Sequence, residues 1–274
     1  SIRYEGKELI SQGPEMNLWR APLANEQDDW TIYGAQVIHK DPMLGRQIAT
    51  EWYLMGLNDL QLIPESFHYT QSANTIVIKA CNIALFKGYQ HSGYRNHYTY
   101  TIEASGKLQI EHTLIPQGEV PLWMPRAGTE WIINQSLDKI AWYGRGPQEN
   151  YPDRKSGYKV GIYTAQANDF FEPYLLPQDC GLRTDTRWVE LTDEQGVGLR
   201  LSGNKLFNFG AYPHSTENLT RAMYPYQVQS FDGITLNFDY HTSGVGGTAI
   251  SVLNPYRTLP DRYEFVTTVE LINR

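Results

Sequence analysis

The chain has 274 residues, 41% of them hydrophobic and 19% charged, with 30 acidic against 23 basic side chains and a net charge of −7. That length suits one large all-β domain or two ordinary ones, and it can bury about three-quarters of its extended surface without staples. No arginine run or basic stripe is present, which argues against a nucleic-acid partner. No apolar run approaches the roughly 20 residues that span a bilayer.

The chain opens on SIRYEGKELI with no initiator Met, so it reads as a piece of a longer polypeptide, and the lack of a targeting segment says little. Residues 13–30 (GPEMNLWRAPLANEQDDW) form a long turn-rich segment. Trp30–Lys40 can form a short helix after Asp28 and Asp29, whose charges suit a helix N-terminus. From there the pattern is period-two alternation: 75–85, 97–104 and 107–115, with a hairpin turn at Ala104–Lys107, then 197–203, 234–242 and 264–272. Each run is rich in Val, Ile, Thr, Tyr or Phe and is bounded by Gly, Pro, Asn or Asp, the mark of a strand. Ser215–Met223 carries an N-cap serine and stops at Tyr224-Pro225. No repeat or linker divides the chain, so one antiparallel β domain is the economical reading.

Three more segments break the alternation: 142–157 (WYGRGPQENYPDRKSG), 172–188 (EPYLLPQDCGLRTDTRW) and 243–247 (SGVGG). Long loops in a compact domain are functional or disordered, and the Trp, Tyr, Pro and Arg in these favour order. They are expected to gather at one end or face of the domain. The 19 tyrosines and 7 tryptophans fit a β-rich core first, and sugar or partner surfaces second.

No self-contained catalytic set emerges. Glu149 and Asp153 lie four apart, but Pro147 and Pro152 oppose a helix that would put them on one face. They read instead as acceptors for loop amides or partners of Arg145 or Arg154. The seven histidines (39, 68, 91, 97, 112, 214 and 241) form no HExxH or other metal spacing. There is no GxSxG elbow, and SGVGG lacks the lysine and helix of a phosphate loop. Cys81 and Cys180 read as two buried reduced thiols. Sugar binding and a protein interface both suit the aromatic, polar loop face.

GPQENYPDR (146–154), preceded by Trp142-Tyr143-Gly144, resembles a signature of the C-terminal domain of large bacterial β-galactosidases of glycoside hydrolase family 2. That domain is also the separate small subunit of heterodimeric β-galactosidases. RAPLANEQDD (20–29), PYLLPQDCGLRTDTRW (173–188) and GVGG (244–247) resemble further family segments in the right order, so the likeness spans nearly the whole chain.

The resemblance implies an all-β, galactose-mutarotase-like supersandwich of two large antiparallel sheets with few short helices. It implies a single domain over residues 1–274 that lacks its first strand. It further implies a non-catalytic role: packing on the (β/α)8 barrel that carries the two catalytic glutamates, in the same or a companion chain, and helping to wall the β-galactoside pocket. The chain alone is then expected to be inactive and to need no cofactor. Parent enzymes often use Mg and Na ions, bound mainly elsewhere. Bacterial cytoplasm and periplasm both stay open as compartments. Alternative readings are a stand-alone aldose epimerase-like sugar-binding protein, using a His and a carboxylate, or a pure interaction module.

The residues expected on the sugar- or barrel-facing rim are Arg20, Asn25, Glu149, Tyr151, Arg154, Arg183, His241 and Gly246. One departure bears on specificity. Lactose-cleaving relatives carry a sugar-stacking Trp four residues beyond the glycine loop, where this chain has Ser251. Loss of that ring costs about 1 kcal/mol of sugar affinity on the scale of aromatic contacts. Either another ring such as Tyr256 replaces it, or the preferred glycan differs.

Overall fold

A computed structural model describes residues 1–27, 47–89, 91–247 and 252–274. The Trp30–Lys40 helix, its acidic lead-in and Ser251 lie outside the described residues.

The strands are β1 (Ile2–Tyr4), β2 (Lys7–Asn17), β3 (Leu60–Gln71), β4 (Thr75–Phe86), β5 (Gly93–Glu103), β6 (Leu108–Gln117) and β7 (Arg126–Ile133). They continue as β8 (Lys139–Gly146), β9 (Lys159–Gln166), β10 (Arg183–Thr192), β11 (Val197–Tyr212), β12 (Ile234–Thr242) and β13 (Tyr263–Asn273). Among the described residues they are accompanied by the short α-helices α1 (Ala24–Gln27), α2 (Ile48–Met55) and α3 (Thr216–Arg221). The β4–β5–β6 meander follows the alternation in the sequence. Its second turn closes with Glu103 N–H donating to Lys107 O at 2.9 Å, and Gly106 supplies the positive φ of 84°. Ser215 caps α3 as its sequence requires, accepting from Asn218 N–H at 3.0 Å.

Among the described residues, the two sheets implied by the resemblance are two layers of one hydrogen-bonded, 13-stranded antiparallel network. Its order is β1-β2-β7-β12-β11-β13-β6-β5-β4-β3, with β10, β8 and β9 branching from β11. The layers part along β11. Val197–Gly203 pairs with β13, and Asn208–Tyr212 pairs with β12. The network then folds so that its two arms face each other. Tyr240 of β12 stacks on Phe265 of β13, with ring centroids 4.5 Å apart, and its hydroxyl lies 2.7 Å from His112 Nδ1 on β6. The main core between the arms includes Leu9, Trp131, Leu199, Phe207 and Phe238. Trp142 of β8, fully buried, joins this core against Phe170 and Phe209. Burying a large side chain of this kind stabilises by about 2–3 kcal/mol.

A second core lies under α2. Trp52 packs edge-on to Trp123 at 4.8 Å and donates its indole N–H to Trp123 O at 2.7 Å. The helix stops at Gly56, whose φ of 81° gives the left-handed cap.

The turn-rich segments are shorter than expected. Strand β2 runs on to Asn17, β8 takes Trp142–Gly146, and β10 takes Arg183–Trp188. Proline and glycine in these stretches mark strand ends and bends rather than continuous loop. Cys180 is buried, while Cys81 is only partly covered and donates to Glu65 Oε2 at 3.2 Å.

Candidate functional site

What remains of the four segments converges. After β2, the Asn17 side chain accepts from Trp19 N–H at 2.8 Å and turns the chain inward. Arg20 is thereby fully buried, where it pairs with Glu26, also fully buried. Its Nη1 also reaches Ser243 O at 3.0 Å and its Nη2 reaches Gly244 O at 2.8 Å, while the buried Nε finds no acceptor among the described residues. Asn25 Nδ2 donates to Val245 O at 2.8 Å. From the other side, Asp153 accepts from Val245 N–H at 3.0 Å and Gly246 N–H at 2.7 Å. A Cβ at Gly244 would stand 2.2 Å from Asp153 Oδ2, so a larger residue there would push the Asp153 carboxylate off the loop. The glycine loop is thus clamped between the first and second segments.

The second and third segments are joined by Glu149. It accepts from Gly181 N–H at 2.9 Å, from Arg154 at 2.7 Å and from the Tyr174 hydroxyl. Burial, and then that carboxylate, push the Tyr174 hydroxyl up to about 12. Beneath them Tyr151, buried, donates to Asp179 Oδ2 at 3.4 Å. Asp179 also accepts from Arg126 at 2.6 Å, and the same guanidinium lies 3.3 Å from Asp239. This Asp179–Arg126–Asp239 triad is buried throughout and underlies the whole loop face. Nothing in the sequence announces it, since its members lie on distant segments.

The result is a cleft of about 270 Å³ whose lining includes Asn25, Glu149, Tyr151, Arg154, Tyr174 and Gly246. Five of the eight residues expected on the rim therefore line it. Arg20 sits beneath it as a clamp. Arg183 is also inside: its guanidinium lies over Phe170 at 4.4 Å and Trp142 at 5.3 Å, and burial lowers its pKa to about 10. His241 is exposed on β12, with Nδ1 2.9 Å from Thr258 Oγ1, and does not line the cleft. Tyr256, 37% exposed, accepts from Gly244 N–H through its backbone carbonyl, so its ring stands next to the loop without lining the cleft.

The carboxylates of the cleft are occupied by amide, hydroxyl and guanidinium donors, so the arrangement orders loops rather than presenting an acid pair for hydrolysis. Among the described residues, no group of three or more His, Cys, Asp or Glu is placed to hold a metal ion. A second groove, of about 660 Å³, lies beside α2, and its lining includes Glu15, Trp19, Tyr53 and Glu130. Glu15 and Glu130 stand opposite each other on β2 and β7, and burial raises the Glu130 pKa. Neither cavity is lined by a histidine among the described residues.

Fold and site together define an all-β sandwich domain with one ordered, loop-built face and, among the described residues, no acid pair free in its cleft. The chain belongs to the β-galactosidase small chain family, whose model matches residues 1–269. It is 31% identical over 247 residues to a β-galactosidase of Priestia megaterium, covering 90% of this chain and 22% of that protein. It is 30% identical over 241 residues to a β-galactosidase of Pseudoalteromonas haloplanktis, covering 88% of this chain and 22% of that one. The chain thus spans about a fifth of the length of these relatives. Among solved structures, a galactose 1-epimerase from Lactobacillus acidophilus aligns at a TM-score of 0.39 and 8% identity, over 76% of this chain and 67% of that one. A likeness so distant adds nothing to the fold read from the strands.

Proposed function

We propose that this chain is a non-catalytic wall of a larger enzyme that hydrolyses a β-galactoside or related glycan. Its loop face packs against a (β/α)8 catalytic domain, on the same or a companion chain, and closes one side of the sugar pocket. One observation carries this reading: four loops far apart in sequence are locked into a single cleft whose carboxylates are already held by the chain's own donors. A wall of this kind contributes binding energy and excludes water without entering the chemistry. Arg154, with its side chain 49% exposed, and the ring of Tyr174 offer hydrogen-bonding and stacking groups to sugar, above a floor that the buried Tyr151 completes. Arg20, Asn25 and Gly246 set the height of the glycine loop, and Arg183 supports the floor.

An epimerase would need a histidine facing a carboxylate in a cleft, which neither cavity supplies among the described residues. The pure chain, given a chromogenic β-galactoside, is expected to show no turnover, and turnover would overturn the reading. In the whole enzyme, Arg154→Ala is expected to raise KM several-fold with a smaller change in kcat. Unchanged KM and kcat would remove the wall role.

A further inference from the structure

The groove beside α2 is assembled from segments far apart in the chain. Glu15 on β2 stands directly opposite Glu130 on β7. Trp19, just past β2, donates its indole N–H to Thr220 of α3 at 3.1 Å. At the start of α3 the Thr216 hydroxyl donates to Glu130 Oε2 at 2.8 Å. Tyr53 of α2 packs on Trp19, with ring centroids 4.8 Å apart and an interplanar angle of 61°. Trp19 is 6% exposed and so fixed in place, while Tyr53 keeps 43% of its surface open and Leu62 of β3 keeps 46%. All of these residues line one space of about 660 Å³. That lies within the range of roughly 300–1,000 Å³ that takes small organic ligands.

The chemistry of the lining is divided. Two carboxylates directly opposite each other on neighbouring strands repel. Glu15 Oε1 accepts from Gln12 Nε2 at 2.9 Å, and Glu130 Oε2 is taken by Thr216. Among the described residues neither acid is ion-paired, and the second oxygen of each has no donor. A repelling pair with open lone pairs costs stability and suits a ligand that brings O–H or N–H donors. Beside it, the Tyr53 ring and Leu62 offer apolar surface suited to C–H contact. A metal ion would leave that surface unused, and among the described residues no group of three or more His, Cys, Asp or Glu is placed to hold one. A compact ammonium would satisfy the acids but not the aliphatic wall. A pyranose carries both halves: a flat C–H face and a rim of adjacent hydroxyls.

We infer that the groove is a second carbohydrate site, in which a pyranose lays its C–H face on Tyr53 and donates adjacent hydroxyls to Glu15 and Glu130. The inference rests on the reading that this chain works inside a glycan-hydrolysing enzyme. Groove and cleft share one stretch of backbone, since Trp19 lines the first and Leu23 the second. Four residues of chain span at most about 14 Å, which puts both sites within reach of one oligosaccharide. The groove then holds the remote end of a long substrate and raises the local concentration of the end that reacts.

The test is a crystal structure of the whole enzyme soaked with thiodigalactoside, an S-linked disaccharide that resists hydrolysis, or with cellobiose, over a concentration series. A sugar on Tyr53, hydrogen-bonded to Glu15 and Glu130, is the expected result. Glu15→Gln removes one charge of the repelling pair. It should leave Tm unchanged or higher while raising the concentration that half-fills the groove at least fivefold. Tyr53→Ala should raise that concentration by as much, with any sugar in the cleft unmoved. An empty groove at the highest sugar concentration, or equal filling in the parent and Glu15→Gln, overturns the inference. Argininamide filling a groove that neither sugar enters would mark it as a cation site and overturn it too. Turnover by the isolated chain, or unchanged kinetics in Arg154→Ala, would remove the wall role without emptying the groove, so the two failures are distinguishable.

Discussion

Replacing Arg126 with methionine removes the central cation of the buried triad with little change in side-chain length. Arg126 is 1% exposed, between Asp179 at 2.6 Å and Asp239 at 3.3 Å, which are 3% and 0% exposed. Removing one partner from a buried ion cluster costs about 3–5 kcal/mol, because the charges left behind have neither water nor a counterion. The loss should depend on pH in a defined sense. Burial already raises the folded-state pKa of Asp239 to about 7, and Arg126 is the strongest influence holding it down. Without Arg126 that value rises further. A carboxyl whose folded pKa exceeds its unfolded value gives full stability below the unfolded value, about 4, and loses it as pH rises through the folded value. The difference between Arg126→Met and the parent should therefore be largest near pH 8 and shrink toward pH 5. Urea unfolding followed by tryptophan fluorescence at both pH values measures it. A loss below about 1 kcal/mol at pH 8 would refute the argument from unpaired buried charge. So would a loss that fails to shrink on acidification.

His112 and His214 are 1% and 2% exposed, and burial lowers their pKa values to about 3 and about 4. Their stabilising contribution is complete above about pH 6.5 and is lost as pH falls, at about 1.4 kcal/mol per pH unit for each group between roughly pH 6 and 4. His112→Asn should flatten that slope by about half in denaturant titrations run across this range, and an unchanged slope would count against it. Gly244→Ala drives a methyl group into the Asp153 carboxylate and breaks its bonds to Val245 and Gly246. About 1.5–3 kcal/mol of stability should be lost for each charge-assisted bond, seen as a lower Tm together with faster exchange of the 245–246 amides. Protection identical to the parent would show that the clamp is not needed.

Much of the fold was legible because alternation survives wherever one face of a strand is buried. Strands β5, β6 and β13 are of that kind, while β4 and β12 are legible from their Val, Ile, Thr, Tyr and Phe content although their burial does not alternate. Strand β3 was not read, since it is exposed on both faces and interrupted by Pro64, so its pattern reports no core. Helix α2 is only eight residues long and has no side-chain cap to mark its start. At the site, the role of Asp153 as an acceptor for loop amides was readable from its turn-rich surroundings. The inward placement of Arg183 was not, because an arginine stacked on Phe170 and Trp142 looks in sequence like any surface arginine. The Asp179–Arg126–Asp239 triad had no local signal either, since its members meet only through tertiary folding.

Strand β11 has a consequence for how the molecule comes apart. Sixteen residues of one continuous backbone serve as a rung in both layers, paired to β13 at one end and β12 at the other. Fraying of either layer pulls directly on the other, so the sandwich should melt in a single concerted transition rather than leaf by leaf. Half of the sandwich's strand pairings also close large loops of chain, which predicts slow refolding compared with helical proteins of the same size.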